Sequence, residues 1–173
     1  MIGLLGVFII FSSLLYSYIQ SVNVNLTEES AINSAEIYIK ALEEFRSPYT
    51  TEVVAPAKQF GMDINHNYHG KSGAILLPAT LSILLGQKIG EHDDGAETSL
   101  YSPYPFPWRE QEGGLSDDFS IAAWKFLTEN PTKVFSRFEQ AGDTKVLRYA
   151  QADILREGCV DCHNFHELTP KND

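Results

Sequence analysis

Residues 116–149 read SDDFSIAAWKFLTENPTKVFSRFEQAGDTKVLRY, and this stretch decides the fold class. In its first half, Phe119, Ala122, Ala123, Phe126 and Leu127 recur at three- and four-residue intervals. That spacing predicts a helix over Ser116–Asn130, with Ser116 as its cap and Pro131 as its stop. In the second half, Val134–Glu139 and Lys145–Tyr149 are strand-like runs separated by the turn-like AGDT. A helix followed by a hairpin predicts an α+β domain.

Upstream lies LYSPYPFPW, Leu100–Trp108, where three prolines alternate with Tyr104, Phe106 and Trp108. Proline rigidity makes this an extended segment bearing large aromatic faces, either the lid of a core or the wall of a cofactor pocket. Before it, Pro78–Ile89 reads as a short helix with proline in its first turn. The polar, glycine-bounded stretch Gly61–Gly73 reads as a loop and carries Met62, His66 and His69. His92, in the acidic EHDDG, reads as a solvated loop residue. Ile32, Ala35, Ile39 and Leu42 form an apolar stripe that predicts a helix over residues 27–46. Thr27 is its expected cap, and Pro48 its expected break.

The chain begins with IGLLGVFIIFSSLLYSYI, residues 2–19, and no charge precedes Glu28. Eighteen helical residues span about 27 Å, close to the roughly 30 Å hydrocarbon core. Tyr16 and Tyr18 sit at one end, where amphipathic aromatics favour the interface. A cleaved signal peptide calls for a basic n-region, yet the first basic residue is Lys40. A core helix of a soluble protein calls for a polar face that this run lacks. An uncleaved signal anchor over residues 1–26, followed by one domain over 27–173, is the reading that fits.

The 23 acidic residues exceed the 13 basic ones, for a net charge of −10. That sign argues against nucleic acid or anionic lipid headgroups as partners. No nucleophile–base pair, phosphate loop or paired acid/base carboxylates stand out, so the chain is not expected to be an enzyme.

The only two cysteines lie in CVDCH, residues 159–163. A disulfide-stapled fold spreads its cysteines along the chain, so the pair is a local motif. Two thiols at this spacing, Cys159 and Cys162, can each add to a vinyl group of one porphyrin. His163 then stands beneath the ring as the proximal iron ligand. Three alternatives stay open: a zinc site using Cys159, Cys162, His163 and His166, a redox dithiol, and chance. Covalent haem is attached on the outer side of an energy-transducing membrane. The motif therefore predicts residues beyond about 25 in the periplasm or an equivalent compartment, with the anchor in the inner membrane.

With these segments in view, the chain resembles the c-type haem family of PAS-like bacterial sensory domains, found alone or ahead of histidine kinases and cyclases. The resemblance covers roughly residues 28–173. It rests on NYHGKSGAILLPAT (67–80), YSPYPFPWR (101–109), LRYAQAD (147–153) and CVDCHNFHELTPKND (159–173). It implies an antiparallel sheet flanked by helices, with one haem c held through Cys159, Cys162 and His163. It also implies a C-terminal truncation, because members continue into a closing strand. The distal iron position falls to His66, then His69, then Met62, or stays open. Arg109 and Arg148 are candidate propionate contacts, since a planar guanidinium suits a carboxylate.

The expected function is a membrane-anchored single-haem domain sensing redox state or a small ligand. The alternative is a tethered monohaem electron-transfer cytochrome. Expected partners are the membrane, the haem maturation machinery, and a downstream kinase or cyclase module or a redox partner.

Overall fold

The computed structural model describes residues 2–91 and 97–171; His92 lies outside them. The fold is α+β: a long N-terminal helix, further helices and a two-stranded antiparallel hairpin. Its contacts divide into two units. One holds residues up to Ile37 together with Ser136–Tyr149, and the other holds Tyr38–Phe135 and the chain from Ala150 onward.

Helix α1 runs from Ile2 to Pro48. It passes through residues 26 and 27 without interruption. Its apolar N-terminal residues stay exposed; Leu4 is 82% and Phe11 64% accessible. This is the one described helix long and apolar enough to cross a membrane. Thr27 does not cap a helix. Its hydroxyl donates to the Asn23 carbonyl at 2.8 Å, a back-bond available only inside a continuous helix.

Pro48 does not break the helix either. It cannot donate to the carbonyl four residues back, and the backbone answers by widening into a π turn over Tyr49–Val54. There the Ala55 N–H reaches back to the Thr50 carbonyl, and the Thr50 hydroxyl donates to the Arg46 carbonyl at 2.8 Å. The chain then resumes as α2, Ala55–Gln59. Gly61, at φ +78°, closes it: its N–H bonds the Lys58 carbonyl and the Met62 N–H bonds the Ala57 carbonyl. This is the left-handed helix end that glycine accepts without a Cβ clash.

The polar stretch predicted as a loop is loop for most of its length. It also supplies strand β1, Asp63–Ile64, paired parallel with β2, Ala74–Ile75. Helix α3, Pro78–Gly90, matches its expected span and buries Ser82 and Gly86. Leu42 of α1 is buried, and Ser82 Oγ donates to its carbonyl at 3.4 Å. The Tyr38 hydroxyl donates to the Gly86 carbonyl at 3.2 Å and accepts from Thr98 Oγ1 at 2.9 Å. A Cβ on Gly86 would stand 2.9 Å from the Thr98 Cβ, so close approach requires glycine there.

Helix α4, Asp118–Glu129, is capped by Asp117 and not by Ser116. Asp117 Oδ1 accepts the Ser120 N–H at 2.8 Å while Ser120 Oγ accepts the Asp117 N–H at 3.1 Å. This reciprocal box needs two hydrogen-bonding side chains three apart, which Asp117 and Ser120 provide. The inner face of α4 makes the main core: Phe119, Ala123 and Leu127 pack with Ala150, flanked by Phe126, Phe135 and Ala152.

Strands β3, Val134–Ala141, and β4, Thr144–Gln151, form the expected hairpin. Gly142, at φ +61°, opens its two-residue turn, the conformation such tight turns demand. Within the first unit, Lys145 pairs with Glu28 of α1 and lies 5.0 Å from the Phe138 ring centroid. The Tyr149 hydroxyl is buried without a hydrogen-bond partner among the described residues. Its burial, with Glu36 nearby, raises its pKa above the usual tyrosine value.

Candidate functional site

The Cys-x-x-Cys-His motif lies wholly within one helix, α5, Glu157–Phe165. Residues three and four apart share a helix face, so Cys159, Cys162 and His163 present their side chains to one side. Both thiols are free; Cys159 is partly exposed and Cys162 exposed. Arg156 precedes the helix in extended backbone, and its carbonyl accepts the Cys159 and Val160 N–H groups at 2.8 and 3.0 Å.

Facing the motif is the proline–aromatic segment. A short 3₁₀ turn over Pro107–Arg109 folds it, with the Arg109 N–H on the Phe106 carbonyl at 2.7 Å. The Ser102 N–H bonds the Gly113 carbonyl at 2.8 Å and closes the loop at its base. Arg109 braces the same loop, donating to Glu112 at 2.8 Å and to the Leu100 carbonyl at 3.4 Å.

This bracing holds Phe106 and Trp108 stacked, with centroids 4.6 Å apart and planes 15° from parallel. The outer face of Trp108 carries the His66 imidazole at 4.2 Å. The His163 and His166 rings meet Phe106 edge-on, both at 5.2 Å, and His166 also meets Trp108 at 5.3 Å. Phe106 and Trp108 thus lie in the ring stack between His66 and the motif helix. The aromatic segment is a wall of this cluster.

The structure separates the sequence-derived candidates. His66 joins His163 in the cluster. His69 packs on the Tyr68 ring at 4.0 Å, and Met62 stands in the turn after α2, with its backbone N–H on the Ala57 carbonyl and its side chain exposed. Arg109 lines a cavity of about 260 Å³ with His66, Thr80, Ile83, Leu84, Gln87 and Trp108. Arg148 lies on β4 in the first unit, 3.9 Å from a Glu139 carboxylate oxygen. His166 is the addition that sequence reasoning weighed only as a zinc ligand. Its Nδ1 accepts the Leu168 N–H at 3.1 Å, which leaves Nε2 as the protonated nitrogen of the neutral ring. Its signal was present, three residues after His163 on the same side. Among the described residues, no three His, Cys, Asp or Glu side chains converge as a metal cage.

Near the cluster, Lys71 holds Asp63 at 2.8 Å, and this bond is the main reason its carboxyl pKa lies below the usual range.

The chain thus joins an α+β domain to a long apolar helix and sets its Cys-x-x-Cys-His helix against an aromatic–histidine cluster. Residues 23–173 match the family model described as Tll0287-like: Tll0287, and the chain belongs to that family, which is related to c-type haem sensory domains. No curated protein and no solved structure matches the chain.

Proposed function

We propose that this chain is a membrane-anchored, single-haem c-type domain that senses redox state or a small ligand in the periplasm. The observation that carries the proposal is the placement of Cys159, Cys162 and His163 on one side of α5, with the His163 ring meeting Phe106 of the proline–aromatic segment. Family membership supports the sensory role.

The residues present fit haem c. Both thiols are free, which leaves them available for thioether formation by the maturation machinery. They stand one helical turn apart, the separation that lets both bond one porphyrin. His163 would supply the proximal imidazole nitrogen. Phe106 and Trp108 are apolar aromatics of the kind that pack on a macrocycle, and they would part from their own stack to do so. His66 is the favoured distal candidate, its ring joining the cluster on Trp108, and it would have to leave that stack to reach an iron held by His163. His166, with Nε2 as donor, and Arg109 are suited to a propionate.

Bound haem supplies a one-electron couple and, at an open coordination position, a seat for a diatomic ligand. The chain's residues set the terms: the aromatics limit water, Arg109 braces their loop, and the histidines choose between closed and open coordination. The haem domain faces the outer compartment in this reading, because haem attachment to such motifs occurs there. The role is detection and not catalysis, and a kinase, cyclase or redox partner would receive the signal.

The test is a pyridine haemochrome spectrum of the full chain, co-expressed with the cytochrome c maturation system and purified in detergent. The expected result is an α-band of two-thioether haem that disappears in the Cys159→Ala/Cys162→Ala variant. A folded, colourless wild-type protein would overturn the proposal. Carbon monoxide binding to the reduced protein then distinguishes an open from a closed distal position.

A further inference from the structure

The segment Gln151–Arg156 carries the chain from the end of β4 into α5, and one turn of α1 holds it by four side-chain contacts. Gln151 Nε2 donates to Glu43 at 3.0 Å. Arg46 forms an ion pair with Asp153. Arg156, the residue preceding α5, pairs with Glu44 at 3.4 Å and Glu43 at 3.7 Å. Gly158, in the first turn of α5, lies beside Thr50: a Cβ there would stand 3.7 Å from the threonine methyl.

The Arg46–Asp153 pair is the strongest member. Its side chains are only 19% and 27% exposed, so solvent screens it less than a surface pair. Arg46 Nε is buried with no hydrogen-bond partner among the described residues. The pair is thus poorly replaced when Asp153 moves away, since a half-buried guanidinium without its carboxylate is costly.

These contacts fall immediately before the π turn at Tyr49–Val54, the one irregular turn of the N-terminal helix. Thr50 belongs to both: its hydroxyl holds the Arg46 carbonyl, and its methyl faces Gly158. A π turn has an ordinary α-helical alternative and so offers a second backbone arrangement close at hand.

We infer that the Arg46–Asp153 and Arg156–Glu43/Glu44 pairs form a latch that couples the motif helix α5 to α1, with the π turn taking up the displacement. This rests on the haem reading above and concerns how that site is regulated. A change of state at the haem shifts α5, the latch carries the shift to α1, and the turn around Thr50 alters its hydrogen bonding. Because coupling is reciprocal, a constraint on α1 acts back on α5.

Hydrogen–deuterium exchange of the haem-loaded full chain in detergent tests this, comparing ferricyanide-oxidised with dithionite-reduced protein over residues 43–59. The expected wild-type result is a change of at least about fivefold in exchange between the two states, the lower end of usual coupling. The Asp153→Asn/Arg156→Gln variant should keep the haem α-band and lose the difference. Glu43→Gln/Glu44→Gln, which cuts the α1 side of the Arg156 pairs, should reduce it. Equal exchange in both wild-type states, or a difference that survives in Asp153→Asn/Arg156→Gln, overturns the latch and leaves the haem reading standing. A wild-type protein without haem overturns both.

Discussion

The His66 imidazole lies flat on the Trp108 indole, with ring centroids 4.2 Å apart and planes 4° from parallel. The contact joins the polar stretch after α2 to the proline–aromatic segment, two regions about forty residues apart in the chain. Such a stack is worth roughly 0.5–1.5 kcal/mol beyond area burial. His66→Ala should therefore lower thermal stability by a few degrees, whereas His69→Ala and Met62→Ala should lower it less. In haem-loaded protein whose distal position the carbon monoxide test finds closed, His66→Ala is expected to convert a low-spin absorption spectrum to high spin. The same conversion in His69→Ala would transfer the distal role to that residue.

The capping of α4 makes a second prediction, because sequence and structure chose adjacent residues. Asp117→Ala removes the acceptor of the Ser120 N–H and should cost about 1 kcal/mol, or roughly 2–4 °C in melting temperature. Ser116→Ala should change stability by less than about 0.5 kcal/mol. Circular dichroism melts of the two variants check both, and equal losses would contradict the assignment.

Phe119, 2% exposed, meets Phe135 at 5.3 Å and anchors the core. Phe119→Ala should destabilise by about 3–5 kcal/mol, through lost burial and the cavity left behind. Ile121, two positions on, is 56% exposed, and Ile121→Ala should stay within about 0.5 kcal/mol. Urea unfolding monitored by tryptophan fluorescence separates the two.

Tyr49 donates its hydroxyl proton to the Leu76 carbonyl at 3.0 Å, and burial, with Tyr68 beside it, raises its pKa. The sign follows from proton linkage. Above the ordinary tyrosine pKa the unfolded chain loses this proton first, so the folded state binds more protons and stability falls as pH rises. The contribution is complete below about pH 10 and fades as pH climbs through the folded-state value. Tyr49→Phe should cost about 1 kcal/mol at neutral pH and flatten the alkaline decline. An unchanged decline in that variant would assign the effect to other tyrosines, Tyr149 among them.

Several elements were legible because their determinants are local. The apolar run, the amphipathic spacing of α4, the two strand runs and the Cys-x-x-Cys-His spacing each lie within a few turns of chain. The misreadings were also local, at helix ends. Pro48 lacks an amide proton, which predicts a break, yet the flanking helix kept its course by widening one turn. Thr27 and Ser116 have cap chemistry, but a cap exists only where the backbone leaves the helix.

By itself, the sequence determined the α+β class, the apolar N-terminal helix and the grouping of Cys159, Cys162 and His163, because period and i, i+3, i+4 spacing are properties of the local backbone. The tertiary structure decided that His66 meets Trp108, that His166 meets Phe106 and Trp108 while His69 packs on Tyr68, and that Arg46 pairs with Asp153, 107 residues away. Such contacts depend on how the loops close and which faces pack. A single chain carries no local spacing that records a partner so far away.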